Sequence, residues 1–177
     1  VAFEKPEIAL RIALTYFSGT EHALDSTAGT VGTVNPPQAV NLDFQTGIAA
    51  NTLLFGQIRW ADWSETQVNV PPAAGAVPLL TYAKDRVSYT LGVGRKFNET
   101  WSGAVSVGYE ETQGGTTSLL SPTDGYTSLG LALSYTKDNM KVTGGVRYVD
   151  VGDASTAIGA FSDNSAVAVG VKVGWTF

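Results

Sequence analysis

The segment Asn164 to Phe177, NSAVAVGVKVGWTF, alternates without a break. Val167, Val169, Val171, Val173, Trp175 and Phe177 fall on one side of an extended chain, and Ala168, Gly170, Lys172, Gly174 and Thr176 on the other. A period of two is the mark of a β-strand with two unlike faces. What constrains the fold most is the content of those faces: all the large apolar groups share one, and the other holds only small or charged residues. A half-buried strand of a water-soluble sheet would instead present bulkier solvated side chains on its polar face.

The same partition recurs upstream. Met140, Val142, Val146 and Tyr148 oppose Lys141, Thr143, Gly145 and Arg147; Leu129, Leu131, Leu133 and Tyr135 oppose Ser128, Gly130, Ala132 and Ser134. Trp101, Val105, Val107 and Tyr109 oppose Ala104, Ser106, Gly108 and Glu110, and Val87, Tyr89, Leu91 and Val93 oppose Ser88, Thr90, Gly92 and Gly94. Nearer the N-terminus, Ile8, Leu10, Ile12, Leu14 and Tyr16 face away from Ala9, Arg11, Ala13 and Thr15. Val40, Leu42, Phe44 and Ile48 stand against Asn41, Asp43, Gln45 and Gly47, and Leu54, Ile58 and Trp60 against Phe55, Gln57, Arg59 and Ala61. The pattern predicts about eight strands, an even number as in bacterial barrels.

Between them, tight turns near Ala50 and Asn51, near Asn98 and Glu99, and at Lys137 to Asn139 alternate with long polar loops at Gly19 to Pro37, Asp62 to Leu80, Thr112 to Gly125 and Val151 to Asp163. Short turns on one side and long loops on the other are the outer-membrane arrangement. Aromatics follow it. Phe97, Trp101, Tyr135, Trp175 and Phe177 fall at the turn ends of strands, and Tyr16, Trp60, Tyr109 and Tyr148 at the loop ends, as two girdles at two lipid interfaces would require.

Composition narrows the classes. Only 15% of the residues are charged while 44% are hydrophobic, which calls for a surface that is neither core nor water. No run reaches the roughly 18 apolar residues of a spanning helix, so a membrane chain of this kind crosses as a closed barrel. The absence of cysteine excludes disulfides and thiolate chemistry, and a net charge of -5 argues against a general nucleic-acid role. The chain opens at Val1 with no leader pattern, as expected for a mature chain, a domain excerpt or a fragment.

Catalytic constellations are lacking. His22, the single histidine, lies in a long loop without companion ligands, and Glu110 and Glu111 point to opposite faces of a strand, a poor acid/base pair. The stretch GVGRKF fits small inward residues better than a phosphate loop. Neither an enzymatic activity nor a cofactor or metal is expected. The inward face carries Arg11, Asp43, Gln45, Arg59, Glu110, Lys141, Arg147 and Lys172, which suit either a charge network or recognition of a ligand carboxylate. The glycine, alanine, serine and threonine between them would fill a narrow eight-stranded barrel poorly, and suit an arc of a wider one.

Three stretches carry a family resemblance: EKPEIALRIALTYFS (Glu4 to Ser18), LLFGQIRWADWS (Leu53 to Ser64), and SYTKDNMKVTGGVRYVDVG with AVAVGVKVGWTF. Together they resemble the C-terminal half of the long-chain fatty acid outer-membrane transporter family, which includes aromatic-hydrocarbon uptake channels. Pro6, Glu7, Arg11 and Tyr16 resemble its mid-barrel strand, and Trp60, Asp62 and Trp63 its tryptophan-rich strand end. Phe177 resembles the terminal aromatic used in outer-membrane insertion, which implies the barrel-assembly machinery as a partner. The resemblance implies that residues 1–177 are one barrel domain, the C-terminal arc of a fourteen-stranded barrel without its hatch and upstream strands. It also implies passive transport of long-chain fatty acids or related hydrophobic molecules across the outer membrane, with lipid and an apolar solute as partners. The alternative expectation is an autonomous eight-stranded outer-membrane barrel with a structural or adhesion role. For capture of apolar solutes outside, Val77, Leu79 and Leu80, or Leu119 and Leu120, are the loop candidates, against a role as small loop cores.

Overall fold

A computed structural model gives the fold and describes residues 1–25, 31–70, 77–82, 84–118 and 123–176. Nine strands form one antiparallel sheet: β1 (Ala2–Lys5), β2 (Leu10–Phe17), β5 (Ala39–Ala49), β6 (Thr52–Ala61), β9 (Arg86–Lys96), β10 (Trp101–Glu110), β11 (Tyr126–Lys137), β12 (Met140–Val151) and β15 (Asn164–Trp175). Each is hydrogen-bonded to the next in this order, a simple meander. The sheet thus has one strand more than the pattern predicted. The extra one, β1, is four residues long and runs into a single 3-10 turn at Pro6–Ile8, too short for alternation to declare it.

The turns have local causes. Lys137 pairs with Met140 across a two-residue turn whose first residue, Asp138, has φ +51°, a left-handed conformation that aspartate tolerates better than most side chains. At the β9 to β10 turn, the Asn98 Oδ1 accepts from the Thr100 and Trp101 amides at 2.9 and 2.8 Å, folding the chain back on itself.

The long connections are less irregular than expected. Those after β2 and β6 contribute β3 (His22–Asp25), β4 (Val31–Val34), β7 (Gln67–Val70) and β8 (Val77–Thr81), which assemble into a separate four-stranded sheet in the order β3-β4-β7-β8. The last holds a hairpin of β13 (Ala154–Thr156) and β14 (Gly159–Phe161). These strands have three to five residues each and sit among glycine, proline and asparagine, so no alternation marks them.

Burial in the main sheet is inverted relative to a soluble protein. Along β11, Leu129, Leu131 and Leu133 are 49%, 53% and 48% exposed, while Ser128 between β10 and β12 is buried and Gly130 and Ala132 are half-buried. In β10, Val105, Val107 and Tyr109 are exposed, and Gly108 is buried. Water would leave this apolar face unsatisfied at about 25 cal/mol per Å². Among the described residues the fully buried apolar side chains are only alanines: Ala13, Ala39, Ala61 and Ala154. The described residues form no conventional hydrophobic core, and the sheet's two edges, β1 and β15, each pair on one side.

Candidate functional site

Strand register lays the small-residue face out in rows. One runs Asn41, Arg59, Ser88, Glu110, Tyr126; the next, Asp43, Gln57, Thr90, Gly108, Ser128; the third, Arg11, Gln45, Phe55, Gly92, Ser106, Gly130, Arg147, Ala168. A fourth row, closer to the tight turns, is Leu53, Gly94, Ala104, Ala132, Gly145 and Gly170. The face is therefore polar toward the loops, small and apolar in this fourth row, and polar again at the turns themselves, where Lys96, Ser102, Ser134, Thr143 and Lys172 form a fifth row.

The polar rows are cross-linked. Arg59 Nη1 donates to Asn41 Oδ1 at 2.7 Å and lies 5.6 Å from the centre of the Phe17 ring, while Gln57 Nε2 donates to Asp43 Oδ1 at 2.7 Å. Arg147 reaches back across the sheet to Ser128 Oγ with Nε and Nη2, at 3.1 and 2.8 Å, and its guanidinium lies 5.7 Å from the Tyr126 ring centre. Glu110 stands 3.7 Å from Arg86. Of the remaining residues expected on this face, Arg11 forms an exposed ion pair with Glu4 at 3.0 Å, and Gln45 is its cross-strand neighbour. Lys141 and Lys172 are exposed and make no ion pair or hydrogen bond among the described residues. The eight residues thus do not converge on one point.

Above the rows, the connection after β10 is fastened to the sheet by Asp124, which the pattern did not single out. Its carboxylate is 2% exposed and accepts from Arg86 Nη1 at 2.8 Å and from the Gln113 and Gly114 amides at 3.0 and 2.6 Å. Burial pushes this carboxyl up, but the two amides and the Arg86 guanidinium outweigh it and hold it below the ordinary carboxylate range. Gly152 lies against the Asp124 carbonyl so closely that a β-carbon there would overlap it. A second carboxylate, Asp85, accepts from Ser64 Oγ at 2.8 Å and Trp60 Nε1 at 3.0 Å, and its own carbonyl accepts from Gln113 Nε2. The Ser64 hydroxyl, acting against burial and assisted by the Ser64 amide and Trp60, lowers its titration. Arg86 begins a strand and Asp124 precedes one, positions where parity carries no information.

Toward the turns the face opens into two concavities. One of about 840 Å³ is lined by Leu53, Phe55, Gly94, Lys96, Ala104 and Ala132; the other, about 390 Å³, by Phe55, Ser106, Gly130, Arg147, Ala168 and Gly170. Phe55 is common to both. Its ring lies over Gly92, where a β-carbon would collide with it, so the glycine is what lets this aromatic lie flat on the sheet.

The aromatics of the opposite face fall in two groups, most of them exposed. Trp101 packs against Tyr135 with ring centres 5.0 Å apart and planes tilted by 60°, with Phe97 and Trp175 at the same end; Tyr16, Tyr109 and Tyr148 lie at the other end with the half-buried Trp60. Phe177, Leu119 and Leu120 lie outside the described residues. Leu80 pairs with Val68 in the loop sheet, and of Val77 and Leu79 the backbone alone is described. His22, in β3, shares a hydrogen bond of 3.0 Å with Thr20.

No protein-family model matches the sequence, and no curated protein matches it. Among solved structures, the crystal structure of a Pseudomonas aeruginosa FadL homologue matches 97% of this chain and 49% of its own, with a TM-score of 0.71 and 13% identity. The chain spans about half the length of the structure it matches. At that identity the likeness is one of fold, and the fold is that of part of a FadL-type barrel, agreeing with the resemblance read from the sequence.

Proposed function

We propose that this chain forms part of the wall of an outer-membrane transporter that passes hydrophobic small molecules, long-chain fatty acids or their relatives, along its small-residue face. The observation that carries the proposal is the inverted burial: large apolar side chains are exposed on one face, and the other is small and polar. A bilayer satisfies the first face, and a lumen explains the second. The FadL-type fold supports the class of function, and the apolar floor around Phe55 and Leu53 supports the class of solute.

In this reading Arg11, Asp43, Gln45, Arg59, Glu110, Lys141, Arg147 and Lys172 face the lumen. The cross-linked members, Asp43, Arg59, Glu110 and Arg147, stiffen the wall. The unpaired Lys141 and Lys172 are free to meet an anionic group on a solute. The exposed aromatics are the two interfacial girdles. An open sheet edge is not tolerated in lipid, so β1 and β15 are closed off by strands outside this sheet. Transport requires no covalent step.

The test is uptake of a labelled long-chain fatty acid by cells that make the natural protein. Gly94→Leu with Gly145→Leu places two branched side chains on the floor, at positions where a β-carbon has room. Saturable uptake should fall severalfold at unchanged protein level. Unchanged uptake, with the variant inserted normally, would overturn the assignment of this face as the path.

A further inference from the structure

Arg95 breaks the partition of the main sheet next to an apolar hollow. Arg95, in β9, shares the large apolar face with Val93 and Leu91, and its cross-strand neighbours on that face are Thr52 and Gly103. It is exposed and makes no ion pair or hydrogen bond among the described residues. At the turn end of its strand, the guanidinium can reach the interface, and an anion there relieves what remains of its cost in hydrocarbon. The surroundings supply a place for one. Beside Arg95 the apolar face sinks into a groove of about 770 Å³, walled by Val93, Trp101, Val105, Leu133 and Val146.

The groove exists because two positions on that face are glycine. Gly103 is roofed by the Phe97 ring, at 3.0 Å from where a β-carbon would stand, and Gly144 has nothing within 4 Å of that position. Leu133 separates them in register. Arg95 lies one row inside the paired rings of Trp101 and Tyr135, and Lys137 follows Tyr135 two residues later on the same face. Arg95, Gly103, Leu133 and Gly144 share one register row, so an anionic headgroup on Arg95 stands beside the trough and an acyl chain can run from it over Leu133 toward Gly144.

On the large apolar face near the tight turns, Lys5 and Lys137 join Arg95, whereas most carboxylates lie at the other end, in or beside the long connections. Cations at this level face an anionic leaflet favourably.

We propose that the outside of the wall near its turns carries a site for one anionic phospholipid, its phosphate held by Arg95 and one acyl chain laid in the groove over Leu133 and Gly144. The site rests on the membrane reading above and opens on the face opposite the transport path, although Arg95 and Gly103 border the concavities of both faces. Its occupant is a lipid and not a free phosphate, because the trough beside Arg95 holds about 770 Å³ and is walled by apolar side chains.

The experiment is native mass spectrometry of the natural protein, extracted in mild detergent and exposed to phosphatidylglycerol, phosphatidylcholine or glycerol 1-phosphate. Retention of phosphatidylglycerol over phosphatidylcholine is expected, with no retention of glycerol 1-phosphate. Arg95→Gln should lower phosphatidylglycerol retention about fivefold, the factor that about 1 kcal/mol per basic residue at an anionic surface implies. Gly144→Leu, which fills the trough, should lower retention of both lipids, and Lys84→Gln at the loop end, away from both faces' concavities, should change neither. Equal losses from Arg95→Gln and Lys84→Gln, or no preference between the two lipids, would overturn the site while leaving the membrane reading intact. Retention of glycerol 1-phosphate as strong as that of the lipid would overturn the acyl trough. A protein that stays monodisperse without detergent would instead remove the membrane reading itself.

Discussion

The two ends of the sheet are held by different means. At the loop end, Asp124, Arg86, Gln113, Asp85, Ser64 and Trp60 are joined by short hydrogen bonds, and further along Gln38 bridges Tyr16 and Asp62 at 2.9 and 2.7 Å. At the turn end, few side chains bond to each other; Ser134 with Thr143 at 2.7 Å and Lys96 with Glu99 at 3.2 Å are examples. There the backbone does most of the holding, through tight turns, and the row of the small face just inside the turn-end polar row is left largely as glycine and alanine. Specific polar links are needed where connections of more than ten residues must be fixed in water. Where two-residue turns suffice, the side chains are free to leave a concavity.

That contrast can be broken most severely at Gly152. Gly152→Ala drives a methyl group into the Asp124 carbonyl and should cost the loop end on the order of 3 kcal/mol, as overpacking against fixed backbone does. Gly144→Ala, at the turn end with open space around it, should stay within about 0.5 kcal/mol. Hydrogen exchange of the amides of Gln113 and Gly114 would separate the two, rising in the first variant alone.

Asp124→Asn comes next. It leaves Arg86, a half-buried cation, with Glu110 at 3.7 Å and the Glu111 carbonyl at 3.5 Å as partners, and a local loss of about 2 kcal/mol is expected, below the full cost of breaking a buried pair. Acid should act in the same direction. Asp124 and Asp85 titrate below their ordinary value, so their contribution is complete above that value, about pH 4, and is lost as pH falls through the lower folded one. Protease cleavage of the connection after β10, followed from pH 7 to pH 2, should rise only below about pH 4. A rise already at pH 6 would mean that other groups hold it.

A smaller effect is expected from Phe55→Ala. Phe55 is half-buried, so a loss of about 1 kcal/mol is expected, less than for a fully buried ring. Removing the ring joins the two concavities, and uptake of bulkier hydrophobic solutes should rise relative to linear ones. Smallest is Lys141→Gln with Lys172→Gln, where no partner is lost; melting temperature should stay within about 1 °C. A drop in affinity for anionic solutes without a stability change would mark them as ligand contacts.

The long strands were legible because lipid on one side and a lumen on the other force a clean two-way sorting of side chains. Leu129 to Tyr135 and Val167 to Trp175 announce themselves by it. The loop sheet was not legible, since β3, β4, β7 and β8 are too short to show a period and pair with one another across long separations. The same limit hid β1. Parity also gave the face of each strand residue but not its partners. It could place Arg59 and Asn41 together only after register was known, and it was silent on Arg86 and Asp124, which stand where strands begin.

The central claim is the assignment of the two faces. The chain has no cysteine, so single cysteines can be introduced at Val107, Leu131, Ser106 and Ala132 and spin-labelled in the natural protein within its membrane. Labels at Val107 and Leu131 should relax with dissolved oxygen, as in hydrocarbon, and those at Ser106 and Ala132 with a water-soluble nickel chelate. The reverse pattern, or nickel access on both faces, would contradict a sheet with lipid on its large side and a lumen on its small one.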